Sequence, residues 1–238
     1  MKNKVLIVLV IVFLICFAFV KLGWHRQWEQ SPPLSKTESN QVIFSENTFD
    51  GCPSEGDATL SSRSDPELNK LKNRIEIPAT YEEMTVSSLK NLNVPSGVSK
   101  SHMESWSKKD FEWVENEDKR AVAVQGYLVS VKREGPESCN CHIDADRDFH
   151  IWLSASPNDN KADAIVVEVS PRVRSKHPNW ELTALRRIVT QHIPVRISGW
   201  LMLDPEHPDQ VGKTRATLWE IHPILKIEVQ ETSGWQEL

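Results

Sequence analysis

The apolar positions of this chain fall into three regimes. Val5 to Val20 is an unbroken apolar run, with Lys2 and Lys4 ahead of it and Lys21 behind it. A run that is apolar on every side has no polar face to offer solvent, unlike a surface helix. At roughly 16 residues, or about 20 if it reaches Trp24, it approaches the length of a membrane span. The basic flank fits a signal peptide or signal anchor. No small-x-small cleavage site follows the run. Ile15 precedes Cys16, where a lipoprotein signal carries Gly, Ala or Ser. Residues 1–24 therefore read as an uncleaved transmembrane anchor, with Trp24 and Trp28 near the interface.

The second regime has no apolar period. Over residues 25–65 Ser, Thr, Asn, Glu, Gly and Pro dominate, which predicts a flexible linker. Residues 66–120 read as a short helical pre-domain. Pro66 to Asn73 carries Leu68 and Leu71, and a second helix runs from Thr85 to Leu92, with Thr85 or Ser87 as its cap. Trp106, Phe111 and Trp113 follow without an assignable period and are expected to pack on the main domain.

The third regime, 121–230, alternates. Ala121 to Lys132 is a long Val-rich strand with Gly126 at its centre, where a barrel strand bends. Asp148 to Ser154 alternates Phe149, Ile151 and Leu153 against Asp148, His150 and Trp152, and Ala164 to Ser170 is a third strand. His177 to Gln191 predicts a helix, with Pro178 in its first turn and Trp180, Ala184 and Ile188 at i, i+4, i+8. Val195 to Leu203, centred on Gly199, and Arg215 to His222 complete five strands; Ile224 to Val229 extends the sheet. The fold class is mainly β. The order strand, strand, strand, helix, strand, strand is that of an OB-like five-stranded barrel with one helix between strands 3 and 4. An open α+β sheet is the alternative. Residues 231–238 read as a tail.

Several segments carry a resemblance. LNKLKNR (68–74), GYLVSVK (126–132), ESCNC (137–141), DFHIWL (148–153), VEVSPRVR (167–174) and SGWLMLDPEHPDQVGKTRATLWEIHP (198–223) resemble an uncharacterised family of exported or membrane-anchored bacterial proteins. The resemblance implies an OB-like core and an extracytoplasmic location, facing periplasm or exterior. It brings no activity.

Charge changes this picture little. With 28 basic and 33 acidic side chains the net charge is -5, so no global field attracts nucleic acid or anionic lipid. Nine Trp residues supply material for a core or a binding face.

The densest candidate chemistry lies between Cys139 and His150. Asp144, Asp146 and Asp148 copy the start of a calcium loop, but Phe149 stands at the turn position and Ala155 at the twelfth, so a calcium site is not expected. In an oxidising compartment Cys52, Cys139 and Cys141 read as disulfide candidates, Cys52 with one of the other two. A metal site comes second, and a thiol–disulfide redox role for Cys139 and Cys141 third. Period two puts Asp148, His150 and Trp152 on one face of their strand and Glu220 with His222 on one face of the last. Barrel closure would bring those faces together. These four, Asp148, His150, Glu220 and His222, are the candidate catalytic set; His150 and His222 are the weak metal candidates. Buried histidines that merely fix the barrel are the plainer reading.

Trp152, Trp200 and Trp219 are candidates for an aromatic ligand-binding face, with Arg172, Arg174 and Arg215 as phosphate-holding arginines. The loop Asp204-Pro-Glu-His207-Pro-Asp209 borders the ligand face of such a barrel. No Walker loop, G-x-S-x-G, H-E-x-x-H or dinucleotide fingerprint occurs. The expected function is a binding module tethered to a membrane through residues 5–24, without a cofactor, for an unidentified protein, glycan or nucleic-acid ligand. The alternative is a metal-dependent hydrolase, a nuclease being one such enzyme, with a divalent metal at the His/Asp/Glu cluster. Whether the chain is an enzyme stays open at this point.

Overall fold

The computed structural model describes residues 48–59, 62–100 and 102–238. The expected anchor over residues 1–24 and most of the linker over 25–65 lie outside the described residues. Within them, no helix is long and apolar enough to cross a membrane.

Short elements lead into the barrel. Strands β1 (Thr48–Phe49) and β2 (Cys52–Pro53) pair as a tight hairpin, in a stretch where the sequence predicts only linker. The hairpin is held because Cys52 is bonded to Cys141 and Arg172 donates to the carbonyls of Cys52 and Pro53. Helix α1 (Pro66–Lys72) has Pro66 in its first turn and Asp65 as N-cap, accepting from Glu67 N; both features favour a helix start. Strand β3 (Glu82–Thr85) runs directly into α2 (Val86–Lys90), where Thr85 and Ser88 form a reciprocal capping box. The segment that resisted assignment contains α3 (Lys108–Asp118), capped by Ser107.

Five strands close the barrel: β4 (Ala121–Arg133), β5 (Phe149–Ser154), β6 (Ile165–Val169), β7 (Pro194–Leu203) and β8 (Trp219–Glu231). Strand β4 pairs with β5, β5 with β6 and β8 with β7, all antiparallel; β6 and β8 run parallel, and β4–β7 pairing closes the ring. This cyclic order, with α4 (Pro171–Arg174) and α5 (Leu182–Gln191) between the third and fourth barrel strands, is OB-like. The inward positions Ile151, Leu153, Ile165, Val167, Val169, Ile197 and Ile221 belong to one continuous core. Strand β3 adds in parallel to β4. The expected tail instead forms β9 (Gly234–Glu237), which pairs with the end of β8.

Two further boundaries differ from expectation. Helix α5 starts at Leu182, because Glu181 is extended (φ -88, ψ 146) and acts as the N-cap. Pro178 therefore lies ahead of the helix, and Trp180 is buried with its ring stacked on His177 at 3.9 Å. The last strand begins at Trp219 rather than Arg215 and continues through Pro223, whose peptide with His222 is cis. Proline lacks a ladder donor and is confined to edges and bulges. Here the β7–β8 register shifts around Gly199, and a Cβ at Gly199 would stand 2.3 Å from Pro223 O. The glycine gives the bulge its room.

Candidate functional site

The same alternation that turns Ile151, Val167 and Ile221 inward turns His150, Glu168, Glu220 and His222 outward. His150 stands opposite Glu168 in the β5–β6 ladder, and Val166 opposite Glu220 in the β6–β8 ladder. A polar stripe thus crosses three adjacent strands. It is nonetheless buried, because two loops and α1 fold over it.

The first covering loop joins β4 to β5. The Cys52–Cys141 disulfide anchors it, and Asn140 Nδ2 donates to Asp148 Oδ1 at 3.0 Å. The second joins β7 to β8. Asp204 organises it, accepting from Glu206 N at 2.8 Å and lying 2.6 Å from His207 Nδ1 and 2.7 Å from Arg215 Nη1. Trp152 Nε1 donates to Thr214 O at 2.6 Å and ties this loop to β5. From α1, Lys72 reaches Glu137 at 3.4 Å and Glu206 at 3.2 Å. Of these groups Lys72, Glu137, Trp152, Asp204, His207, Thr214 and Arg215 line a partly open cavity of about 460 Å³.

Ion pairs run through the cavity wall. His150 Nδ1 lies 2.6 Å from Glu168 Oε1 and 2.9 Å from Glu134 Oε1. Arg215 Nη1 is 2.7 Å from Glu220 Oε1. His222 stands further off: Asp148 Oδ2 is 3.5 Å from its Nε2, and Glu168 Oε2 and Glu220 Oε2 are 3.6 and 3.8 Å from its Nδ1. Neither ring nitrogen of His222 has a hydrogen-bond partner, and Asp148 Oδ2 and His150 Nε2 have none either.

Burial works against charge on both histidines, but the carboxylates outweigh it. Glu168 and Glu134 bring His150 up to about 9, and Asp148, Glu220 and Glu168 bring His222, with no ion bound, up to about 10. Burial pushes Glu168 the other way too, yet His150 and His222 hold it well below the usual carboxylate range. Glu134 is held at about 2, burial being outweighed by His150 and Lys132. Burial pushes Glu137 upward, and burial with the neighbouring Asp148 pushes the Cys139 thiol well up.

The structure brings together all four of Asp148, His150, Glu220 and His222. It adds Glu168, which joins the two histidines and had not been singled out. Its signal in the sequence was its standing as the one charge in AIVVEVS. Glu134, Glu137 and Lys72 were also missed; they arrive from outside the two strands.

The expected aromatic face does not form. Trp152 lines the cavity, with Lys161 Nζ over its ring at 3.7 Å. Trp219 is fully buried against Trp113, ring centroids 5.9 Å apart. The period that turns Glu220 and His222 outward turns Trp219 inward. Trp200 packs under Arg74 and donates to Glu76 O, away from the cavity. The arginine trio is dispersed likewise. Arg172 holds the β1–β2 hairpin and Arg174 donates to Arg147 O; Arg215 alone of the three lines the cavity. The expected disulfide forms between Cys52 and Cys141, and Cys139 is a buried thiol; the third-ranked reading, a redox pair of Cys139 with Cys141, is overturned. Asp144 lies at the surface paired with Arg147, apart from this cluster.

Three groups of described residues could hold a metal, each with ligand atoms within 4.8 Å of one another: Glu134–His150–Glu168, Glu137–Cys139–Asp148 and Asp148–Glu168–His222.

No family model matches this chain, and no curated protein does. Among solved structures it is similar to the crystal structure of yeast Stn1 and Ten1, at 16% identity and a TM-score of 0.35. The likeness covers 65% of this chain and 65% of that one. The OB-like assignment rests on the strand order above and not on this likeness.

Proposed function

We propose that this chain is an OB-like binding module that holds a small polar ligand in the cavity on β5, β6 and β8. The observation that carries the reading is the cavity itself. Its volume of about 460 Å³ lies within the span of small-molecule sites, about 300–1,000 Å³. It sits on the second and third barrel strands between the loops that follow the first and fourth, the part of an OB barrel that receives ligands. That placement is an argument from fold analogy; the lining narrows it. Carboxylates of Glu134, Glu168 and Glu220 alternate with Lys132, Arg215 and the two histidines, and Trp152 forms one wall. Paired acids and bases beside an aromatic ring suit a hydroxyl-rich or zwitterionic ligand, such as a glycan unit, better than a polyanionic strand.

The module is placed outside the cytoplasm, tethered by the apolar run Val5 to Val20. The Cys52–Cys141 bond supports this, because disulfides persist in oxidising compartments.

The test is a thermal-shift and NMR screen of the full chain in detergent against mono- and disaccharides, amino acids and short oligonucleotides. A small polar class should stabilise the protein, and Trp152→Ala or Glu220→Gln should abolish the shift. Oligonucleotide binding unaffected by either change would overturn the reading. The convergence of Asp148, His150, Glu220 and His222 favours a second reading, metal-dependent hydrolysis. Turnover of phosphodiester or glycoside substrates in the same screen, dependent on His150, would select it.

A further inference from the structure

The two histidines of the cluster are surrounded by the same kinds of groups but are held differently. His150 grips its carboxylates at 2.6 and 2.9 Å, the spacing of charge-assisted hydrogen bonds. His222 is 0% exposed, yet its nearest carboxylate oxygens stand at 3.5, 3.6 and 3.8 Å. Neither of its ring nitrogens has a hydrogen-bond partner, nor has Asp148 Oδ2. Orphaned buried polar atoms call for a missing partner. Asp148 Oδ2 faces Nε2, whereas Glu168 Oε2 and Glu220 Oε2 face Nδ1; an ion on one ring nitrogen has one of these carboxylates beside it, with an oxygen of the other of Asp148 and Glu168 within 4.8 Å.

Asp148, Glu168, Asp204 and Glu220 are all buried, with buried Arg215 among them, so carboxylates crowd the space around His222.

We propose that Asp148, Glu168 and the His222 imidazole form a buried binding site for a divalent cation beside the cavity, whose wall Glu168 and His222 share. One ligand atom from each lies within 4.8 Å of the others. One nitrogen and two carboxylates favour a borderline first-row dication, of the zinc, manganese or iron(II) class, over calcium. Asn140 and His150 hold the outer oxygens of Asp148 and Glu168 and orient the ligands, as outer-shell partners do. The site does not depend on what the cavity binds beside it.

The experiment uses the full chain, purified in detergent without a polyhistidine tag. Metal content is measured by elemental analysis, before and after chelation and after re-addition of Zn²⁺, Mn²⁺ or Fe²⁺. About one equivalent per chain is expected, with an absorption edge fine structure showing nitrogen and oxygen ligands. Affinity should fall at least about tenfold in Asp148→Asn and His222→Gln, the loss that even outer-shell changes produce. Trp152→Ala should keep the metal while losing the cavity ligand, so the two proposals fail separately. Folded wild type that takes up none of the three ions, or metal retained unchanged in both ligand variants, would overturn the site. If the variants do not fold, the fine structure of the wild type decides: sulfur ligands or an all-oxygen shell would refute it.

Discussion

Glu168 on β6 receives the Nδ1 proton of His150 on β5 at 2.6 Å, across a ladder pair of the barrel wall. Both side chains are buried, and what they face besides each other is the cavity. Removing one member of a buried pair leaves the other uncompensated, which costs about 3–5 kcal/mol. Glu168→Gln, studied with chelator present, should lower unfolding stability by about that amount. Glu134, the second partner of His150, keeps 18% of its side chain in solvent. Glu134→Gln should therefore cost less, under about 2 kcal/mol. Denaturant midpoints at constant slope will show the ranking; equal losses would mean that Glu168 is not the central member.

The histidines of this cluster were legible in the sequence and Glu168 was not, for a physical reason. Period two within one strand puts Asp148 beside His150, and Glu220 beside His222, whatever the topology. Which strand separates them depends on closure: β6 lies between β5 and β8, antiparallel to one and parallel to the other. The five strand patterns were legible because each carries an inward apolar row; that the outward faces of β5 and β6 are buried as well was not. Helix α3 escaped because its apolar residues, Phe111, Trp113 and Val114, are too few and too interrupted by charge to show a stripe. The cover over the site was also hidden, since Lys72 and Glu137 reach it from segments with no local sign of the contact.

Asp118 at the end of α3 gives a pH signature outside the site. Its Oδ1 accepts from Leu203 N at 3.0 Å, its Oδ2 has no hydrogen-bond partner, and burial raises the carboxyl to about 7, against the pull of Arg74. A raised carboxyl favours the fold while protonated. Its contribution is complete below the unfolded value near 3.8 and is lost as pH rises to about 7. A rise of that size corresponds to roughly 4 kcal/mol. Asp118→Asn removes the titration, so its stability relative to wild type should rise between pH 4 and pH 8. Urea unfolding at both pH values measures this; parallel curves would refute it.

The Cys52–Cys141 bond closes a segment of 89 residues. In the chain-entropy picture a loop of that length stabilises by about 4–5 kcal/mol. Cys52→Ala with Cys141→Ala should cost most of this, and it should free the β1–β2 hairpin and the 138–140 turn before the barrel opens. Hydrogen exchange should register faster exchange at Asp57 N, which bonds Ser138 O at 3.1 Å, while the amides of β5 and β6 stay protected. Uniform loss of protection would mean that the bond supports the barrel directly.

Gly199 makes the sharpest steric prediction. A Cβ there would meet Pro223 O at 2.3 Å and Ile224 Cα at 3.0 Å, and both are backbone atoms with no rotamer to yield. Gly199→Ala must therefore shift the bulge by which β8 passes Pro223. Forcing atoms into such packed contacts costs about 1–3 kcal/mol or more. The shift would also reach the site, because His222 is joined to Pro223 and Glu220 lies two residues earlier on the same strand. Gly212, with open space around it but φ +76, is the comparison: Ala there strains only an exposed turn. Thermal unfolding of the two variants, with ligand or metal affinity measured alongside, should show Gly199→Ala losing both stability and affinity. Gly212→Ala should lose a little stability and keep its affinity. Equal behaviour of the two would mean that the β7–β8 bulge does not position His222.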